Sequence, residues 1–367
     1  GEGAEQSHDD ARAQSFVQQP RCQQRGPQRR RLVHDGGLGQ RQVHDRSVEA
    51  DHRARTDQAA QAQQAGATAA VVSMPEGPND PPVWKFETLQ RLKQDFADDD
   101  IDLQVIESAP AVLMEPIKQG TDQFDWALDR FCEMIDNMGR AGIPVMCHNF
   151  MAGIGWLRTS MALPDRGGAL VTGYDHELMQ RGGLTEFGEI SEEGLWERME
   201  IFLKRVVPVA EKAGVKLAVH PDDPPISPVR GVGRILTSPD NLQRVIDLVP
   251  SPNNGITFCQ GSISTMVVDM PKEIRRFAGQ NKVFFIHFRD VDGNPSKFRE
   301  TFHDAGQTDM FETMRAWRDS GFTGPFRVDH VPTMAGEANL SPGYDVMGRL
   351  YAIGYAKGLM EGVNKVG

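Results

Sequence analysis

KLAVHPDDPP at 216–225, GITFCQ at 255–260, VFFIHF at 283–288 and GPFRVD at 324–329 share one pattern. Each carries a short apolar run, and each reaches a metal-binding residue type at or near its end: His220, Cys259, His287 and Asp329. Apolar runs without polar alternation suit strands buried on both faces of a parallel sheet. Comparable runs stand upstream at 67–74 (ATAAVVSM), 103–108 (LQVIES) and 143–149 (IPVMCHN). Helical patterns separate them. Leu195, Met199, Phe202, Val206 and Ala210 form one stripe that Gly214 should stop, and Ser238 should cap a helix over Pro239–Leu248. Further helices are predicted at Phe86–Asp95, Trp126–Gly139, Met310–Ser320 and Asp345–Leu359. Strand–helix alternation predicts an α/β fold with helices covering a parallel sheet. A (β/α)8 TIM-type barrel needs eight strands, and seven are legible. The missing one should be the first; an open doubly wound sheet is the alternative.

The N-terminal segment has a different texture. Residues 1–60 hold ten Arg, no Lys and one aromatic, Phe16, with no apolar period. Such a segment buries too little apolar surface to offset its ordering entropy. Residues 1–60 therefore read as a disordered tail or a non-native, frame-shifted stretch, with the barrel domain over 61–367. The first strand is expected to be missing or disordered. Nine acidic residues among the ten Arg disfavour a basic RNA-binding arm. The whole chain of 367 residues carries 40 Lys+Arg against 51 Asp+Glu, a net charge of −11, which disfavours nucleic acid as a partner. No apolar run is long enough for a membrane span, and no signal-peptide pattern opens the chain. Four cysteines make no disulfide framework, so a cytoplasmic protein is expected. The Gly-rich stretch 151–190 reads as a long loop or lid over the site.

In a parallel barrel all strand ends lie on one face, where such barrels build their active sites. The ligand types are 39, 28 and 42 residues apart, which excludes a compact zinc finger and matches one βα unit per ligand. Each has a plainer reading: a lone strand-terminal His as a satisfied polar group, a lone Cys as a small core residue. Four on four successive strands favour a divalent metal set. Cys132 and Cys147 are given the core, Cys22 no role, His303 and Asp304 a supporting place, and Asp222 and Asp223 a turn stiffened by Pro224 and Pro225.

Several blocks resemble the D-mannonate dehydratase family: HPDDPP at 220–225, GVGRILTSPDNL at 231–242, GITFCQGS at 255–262, HFRD at 287–290, VIESAP at 105–110, NFM at 149–151 and WLRT at 156–159. The similarity covers about residues 62–367. It implies a TIM-type barrel similar to xylose isomerase. It also implies removal of water from D-mannonate to give 2-dehydro-3-deoxy-D-gluconate, in hexuronate (glucuronate) breakdown, with Mn2+ or Fe2+. It implies metal ligands at His220, Cys259, His287 and Asp329, and catalytic roles for His330 and for Tyr344 in SPGYDVMGR.

The chemistry asks for these groups. The C2 proton of an aldonate is weakly acidic, and the C3 hydroxide leaves only when protonated, so a base and an acid are needed. Tyr344 is preferred as base and His330 as acid, with the opposite assignment open. Arg289 is a candidate clamp for the substrate carboxylate, with a salt bridge under a loop as its plainer reading. Asn149, Arg158 and Glu107 are candidate substrate contacts. A sugar isomerase or epimerase on the same platform, or an inactive metal-binding barrel, is the alternative. The expected partner is a small sugar acid, and a homo-oligomer is expected.

Overall fold

The computed structural model describes residues 14–16 (backbone only), 59–74 and 81–366. In chain order the strands are β1 (Gln14–Phe16), β2 (Ala69–Val72), β3 (Asp102–Glu107), β4 (Val145–His148), β5 (Ser160–Pro164), β6 (Leu170–Asp175), β7 (Lys216–Val219), β8 (Asn254–Cys259), β9 (Val283–His287), β10 (Val291–Asn294), β11 (Lys297–Glu300) and β12 (Phe326–Arg327). Eight of them close a barrel in the order β1–β12–β9–β8–β7–β4–β3–β2, and β10–β11–β6–β5 form a second, antiparallel sheet.

The seven strands expected from the sequence are β2, β3, β4, β7, β8, β9 and β12, parallel to one another throughout. The eighth place differs from a (β/α)8 ring. It is taken by the three-residue β1, antiparallel to both β2 and β12. The expectation that residues 1–60 supply no strand therefore fails at 14–16, where no apolar period marks the element. The rest of that expectation falls on 1–13 and 17–58, outside the described residues. The stretch 151–190 is not a plain loop. It contributes β5, β6 and the short helix His176–Gln180, and it pairs through β6 with β11.

Two apolar layers hold the barrel. Inside, Ala69, Val71, Val105, Val145, Cys147, Ala218, Phe284 and Phe285 fill the ring. Outside, helix Phe124–Ala141 buries Phe131, Met134 and Met138, and helix Glu192–Ala213 buries Met199, Phe202 and Val206. Ser191 and Ser238 cap their helices through side-chain oxygens. Gly214 ends the longer helix at φ 72°, a conformation that costs glycine little.

At the crossing of those two long helices a Cβ on Gly139 would sit 2.3 Å from the Ala213 carbonyl oxygen. Backbone cannot yield there as a flexible side chain would. Gly139→Ala should therefore destabilise the chain by about 1–3 kcal/mol, read as a lower urea midpoint with an unchanged slope. An unshifted midpoint would show that the two helices can separate freely.

Candidate active site and metal centre

Register brings the strand ends level. Cys259 pairs with His287 across β8–β9, and His287 pairs with Arg327 across β9–β12. His220 follows β7 directly and continues its pairing, donating its backbone N–H to the His148 carbonyl at 2.7 Å. One ligand atom each from His220, Cys259 and His287 falls within 4.8 Å of the others, and all three residues are buried. His220 Nε2 and His287 Nδ1 are 3.2 Å apart. Two nitrogens on one ion, each about 2.0–2.1 Å from it, would be separated by about 2.8–3.0 Å in octahedral and about 3.3–3.4 Å in tetrahedral geometry.

Asp329 adjoins this trio but does not belong to it as tightly. Its Oδ2 is 3.4 Å from His287 Nδ1 and 2.8 Å from Arg289 Nε, and its Oδ1 is 3.0 Å from Arg327 Nη2. Asp329 also has φ 57°, unusual for a residue with a side chain and typical of strain held at functional sites. Burial pushes the Cys259 thiol up, but Arg289 and His220 outweigh it and hold it well below the usual thiol range.

His220, His287 and Asp329 line a cavity of about 290 Å3 together with Glu107, Ser108, Asn149, Trp156, Arg327, His330 and Tyr344. That is close to the lower bound of about 300 Å3 for small-molecule sites. His330 stands between two partners. Its Nδ1 lies 2.9 Å from Glu300 Oε1 and its Nε2 lies 2.7 Å from the Tyr344 hydroxyl. Burial and the Asp329 carboxylate push the Tyr344 phenol well above the usual tyrosine range. Burial pushes the Glu300 carboxyl up, yet Arg289, His330 and Arg158 outweigh it and hold Glu300 at about 2.

Arg289 and Arg158, the candidates for meeting substrate, do not line the cavity. Arg289 Nη1 donates to both Glu300 oxygens at 2.8 Å, and its Nη2 donates to Asp223 Oδ2 at 2.6 Å and to Ser262. Arg158 donates to both Asp223 oxygens at 2.6 and 3.0 Å and to Glu300, stacked over Trp156 and Phe298. Their charge is spent inside the protein, and the clamp considered for Arg289 is not available. Glu107 does line the cavity, tied to Arg327 and 3.3 Å from His287 Nε2. Asn149 lines it too, donating to Ser108 Oγ at 3.4 Å.

Asp223, Glu300 and His330 form a second group that could hold a metal by proximity. The two arginines already occupy its carboxylates, so it is a closed ion-pair cluster. Asp222 and Asp223 do more than turn the chain. Asp222 accepts from the Leu236 N–H, and Asp223 anchors both arginines. His303 supports the site, its Nε2 lying 2.9 Å from the Val328 carbonyl, whereas Asp304 pairs with the half-exposed Arg166. Cys147 is buried and also touches the cavity. Glu300 and Arg327 escaped the sequence reading. Arg327 could have been found, because it shares strand parity with Asp329 in FRVDH.

In direct ion contact at this end of the barrel, three guanidiniums (Arg158, Arg289, Arg327) face Asp223, Glu300, Asp329 and Glu107. With the Cys259 sulfur as thiolate, anions outnumber these guanidiniums. Burial pushes His220 and His287 down, but the neighbouring anions outweigh it and push both up toward their protonated forms. A divalent cation between His220, Cys259 and His287 would replace that positive charge.

Arg158→Gln would strand buried carboxylates without their partner. It should destabilise the chain by about 3–5 kcal/mol, against about 0–1 kcal/mol for Arg166→Gln on the surface, compared by urea denaturation. Equal losses would refute a buried network of this strength.

A sequence model of the D-mannonate dehydratase (UxuA) family matches residues 52–187 and 181–367. Mannonate dehydratase 2 of Halalkalibacterium halodurans is 34% identical over 310 residues, covering 77% of this chain and 88% of that protein. The crystal structure of mannonate dehydratase from Streptococcus suis serotype 2 superposes with a TM-score of 0.70 at 32% identity, covering 78% of this chain and 84% of that one. A xylose isomerase domain protein from Planctomyces limnophilus shares the fold, with a TM-score of 0.51 at 16% identity over 83% of this chain and 92% of that one.

Proposed function

The chain belongs to the D-mannonate dehydratase family, and on that footing we propose that it removes water from D-mannonate to give 2-dehydro-3-deoxy-D-gluconate, a step of hexuronate breakdown. The observation that carries the reading is the hydrogen bond between Tyr344 and His330 beside the His220–Cys259–His287 trio. It joins a base and an acid in one unit, as a dehydration requires.

Glu300 is a carboxylate and can only accept, so Nδ1 of neutral His330 carries the proton and Nε2 carries the lone pair. The Tyr344 hydroxyl therefore donates to Nε2. In the proposed reaction the Tyr344 oxygen takes the C2 proton while its own proton passes to His330 Nε2. The imidazolium then gives that proton to the departing C3 hydroxyl, which leaves as water. The C2–H and C3–O bonds break, a C2–C3 double bond forms, and Tyr344 and His330 end as they began. The enol product then gains a proton at C3 and loses the one on its C2 hydroxyl, becoming the 2-keto acid. A phenol pushed up by burial is seldom ionised, so direct transfer of its proton to His330 is what makes Tyr344 competent as a base.

His220, Cys259 and His287 would hold the divalent ion, with Asp329 beside them. Mn2+ or Fe2+ is proposed. Bound there, the ion would act as a Lewis acid on charge developing at the substrate carboxylate. Arg327 and Asn149 are proposed to orient the substrate, and Glu107 to hold Arg327. No helix among the described residues is long and apolar enough to cross a membrane. A cytoplasmic homo-oligomer is proposed, and sedimentation of the purified chain tests its assembly.

Purified chain with Mn2+ should convert D-mannonate, and chelation should abolish turnover. No turnover under any divalent metal would sink the assignment. Tyr344→Phe should keep its metal while turnover falls about 10²–10⁴-fold, and near-normal turnover would remove Tyr344 from the mechanism. Cys259→Ser should weaken Zn2+ and Co2+ more than Mn2+ in metal titrations, because a hydroxyl replaces a thiolate. Equal weakening would place the sulfur outside the coordination shell.

A further inference from the structure

We propose that Glu300, carried into the active site by the second sheet, is a positioning residue that fixes the tautomer and orientation of His330. The inference rests on the proton roles assigned above to His330 and Tyr344. Glu300 is the last residue of β11, which is no part of the barrel. Its side chain is almost wholly buried and reaches His330 Nδ1 at 2.9 Å. The same oxygen, Oε1, also accepts from Arg158 and Arg289, and Arg289 reaches Oε2 as well. Arg158 lies just ahead of β5, in the same sheet region, whereas Arg289 follows barrel strand β9. The contact thus bolts the sheet to the barrel at the point where the imidazole must be aimed.

The consequence is chemical. Without a fixed acceptor at Nδ1 the neutral ring can carry its proton on either nitrogen. With the proton on Nε2, the Tyr344 hydroxyl meets another donor and cannot pass its proton on. Glu300 keeps Nε2 unprotonated and pointed at Tyr344, while the two arginines keep Glu300 ionised and fixed.

The test uses Glu300→Gln and Glu300→Asp in the full chain. Gln offers both donors and an acceptor, so it does not dictate the ring's tautomer. Asp keeps the charge for the arginines but withdraws it from His330 by one methylene. Steady-state kinetics on D-mannonate, normalised to bound Mn2+, should show kcat down about 10–100-fold in Glu300→Gln, with KM changed less than about threefold. Glu300→Asp should fall between this variant and the wild type, and it decides the matter alone if Glu300→Gln does not fold. The imidazole 15N shifts of the zinc-loaded chain, with His330 assigned by its absence in His330→Gln, supply the second readout. They should report an Nδ1–H ring in the wild type and a mixture in the variants. Wild-type kcat per metal-loaded site, or an unchanged tautomer, in a folded variant would overturn the proposal. Lack of dehydratase activity in the wild type would instead overturn the functional reading, while the tautomer measurement would still decide whether Glu300 sets His330.

Discussion

The molecule's functional end rests on one constraint: seven charged side chains are taken out of water together, and each must find its partner. Arg158, Arg289 and Arg327 are all buried, as are Asp223, Glu300 and Asp329, and Glu107 is nearly so. A buried ion costs several kcal/mol in desolvation, recovered only when geometry is good and the remaining lone pairs and protons are satisfied. Bidentate contacts such as Arg158 to Asp223 supply that geometry. Such a network has few acceptable arrangements. A small shift of one partner exposes an unpaired charge, so strand ends, loops and sheet are held in register by electrostatics as well as packing.

The network explains why an antiparallel sheet sits over a parallel barrel. Barrel strands deliver groups only at their C-terminal ends, each on a similar level. His330 Nδ1 needs an acceptor on the side away from Tyr344, and Glu300 stands there. The hairpin β10–β11 returns the chain to that side and supplies Glu300, while the segment ahead of β5 supplies Arg158. The barrel thus presents the His220, Cys259 and His287 trio, and the second sheet adds Glu300 behind His330.

What could be read from the sequence follows the same division. Seven barrel strands and the strand-end residues were legible because burial on both faces writes continuous apolar runs, and the βα repeat sets the ligand spacing. The second sheet was not legible. β5 is largely exposed, β10 and β11 are four residues each, and Gly293 and Pro295 break any alternation there. Glu300 consequently stood in an unassigned stretch with nothing to mark its reach into the site. Arg158 and Arg289 were found as residues, but Arg158 was read as a substrate contact and Arg289 as either a clamp or a salt bridge, because an isolated arginine near a site resembles a substrate clamp until its carboxylate partners are in view. Helix Ala111–Gln119 was obscured by its internal Pro116, and β1 by a segment with no apolar period.

The proton inventory separates a dehydratase from the isomerases and epimerases that use similar barrels. An epimerase moves a proton off one face of a carbon and returns one to the other face, so it needs two groups on opposite sides that exchange independently with solvent or substrate. A dehydratase needs a proton removed from one carbon and a proton delivered to a neighbouring oxygen. Two groups already joined by a hydrogen bond meet that demand, since the proton leaving the first is the one the second gives up. Tyr344 and His330, 2.7 Å apart with Glu300 behind the ring, are of this joined kind. The likeness to sugar isomerases and epimerases at 12–16% identity speaks for the barrel alone. The linked pair, on a chain of the dehydratase family, fits the proton demands of the proposed dehydration.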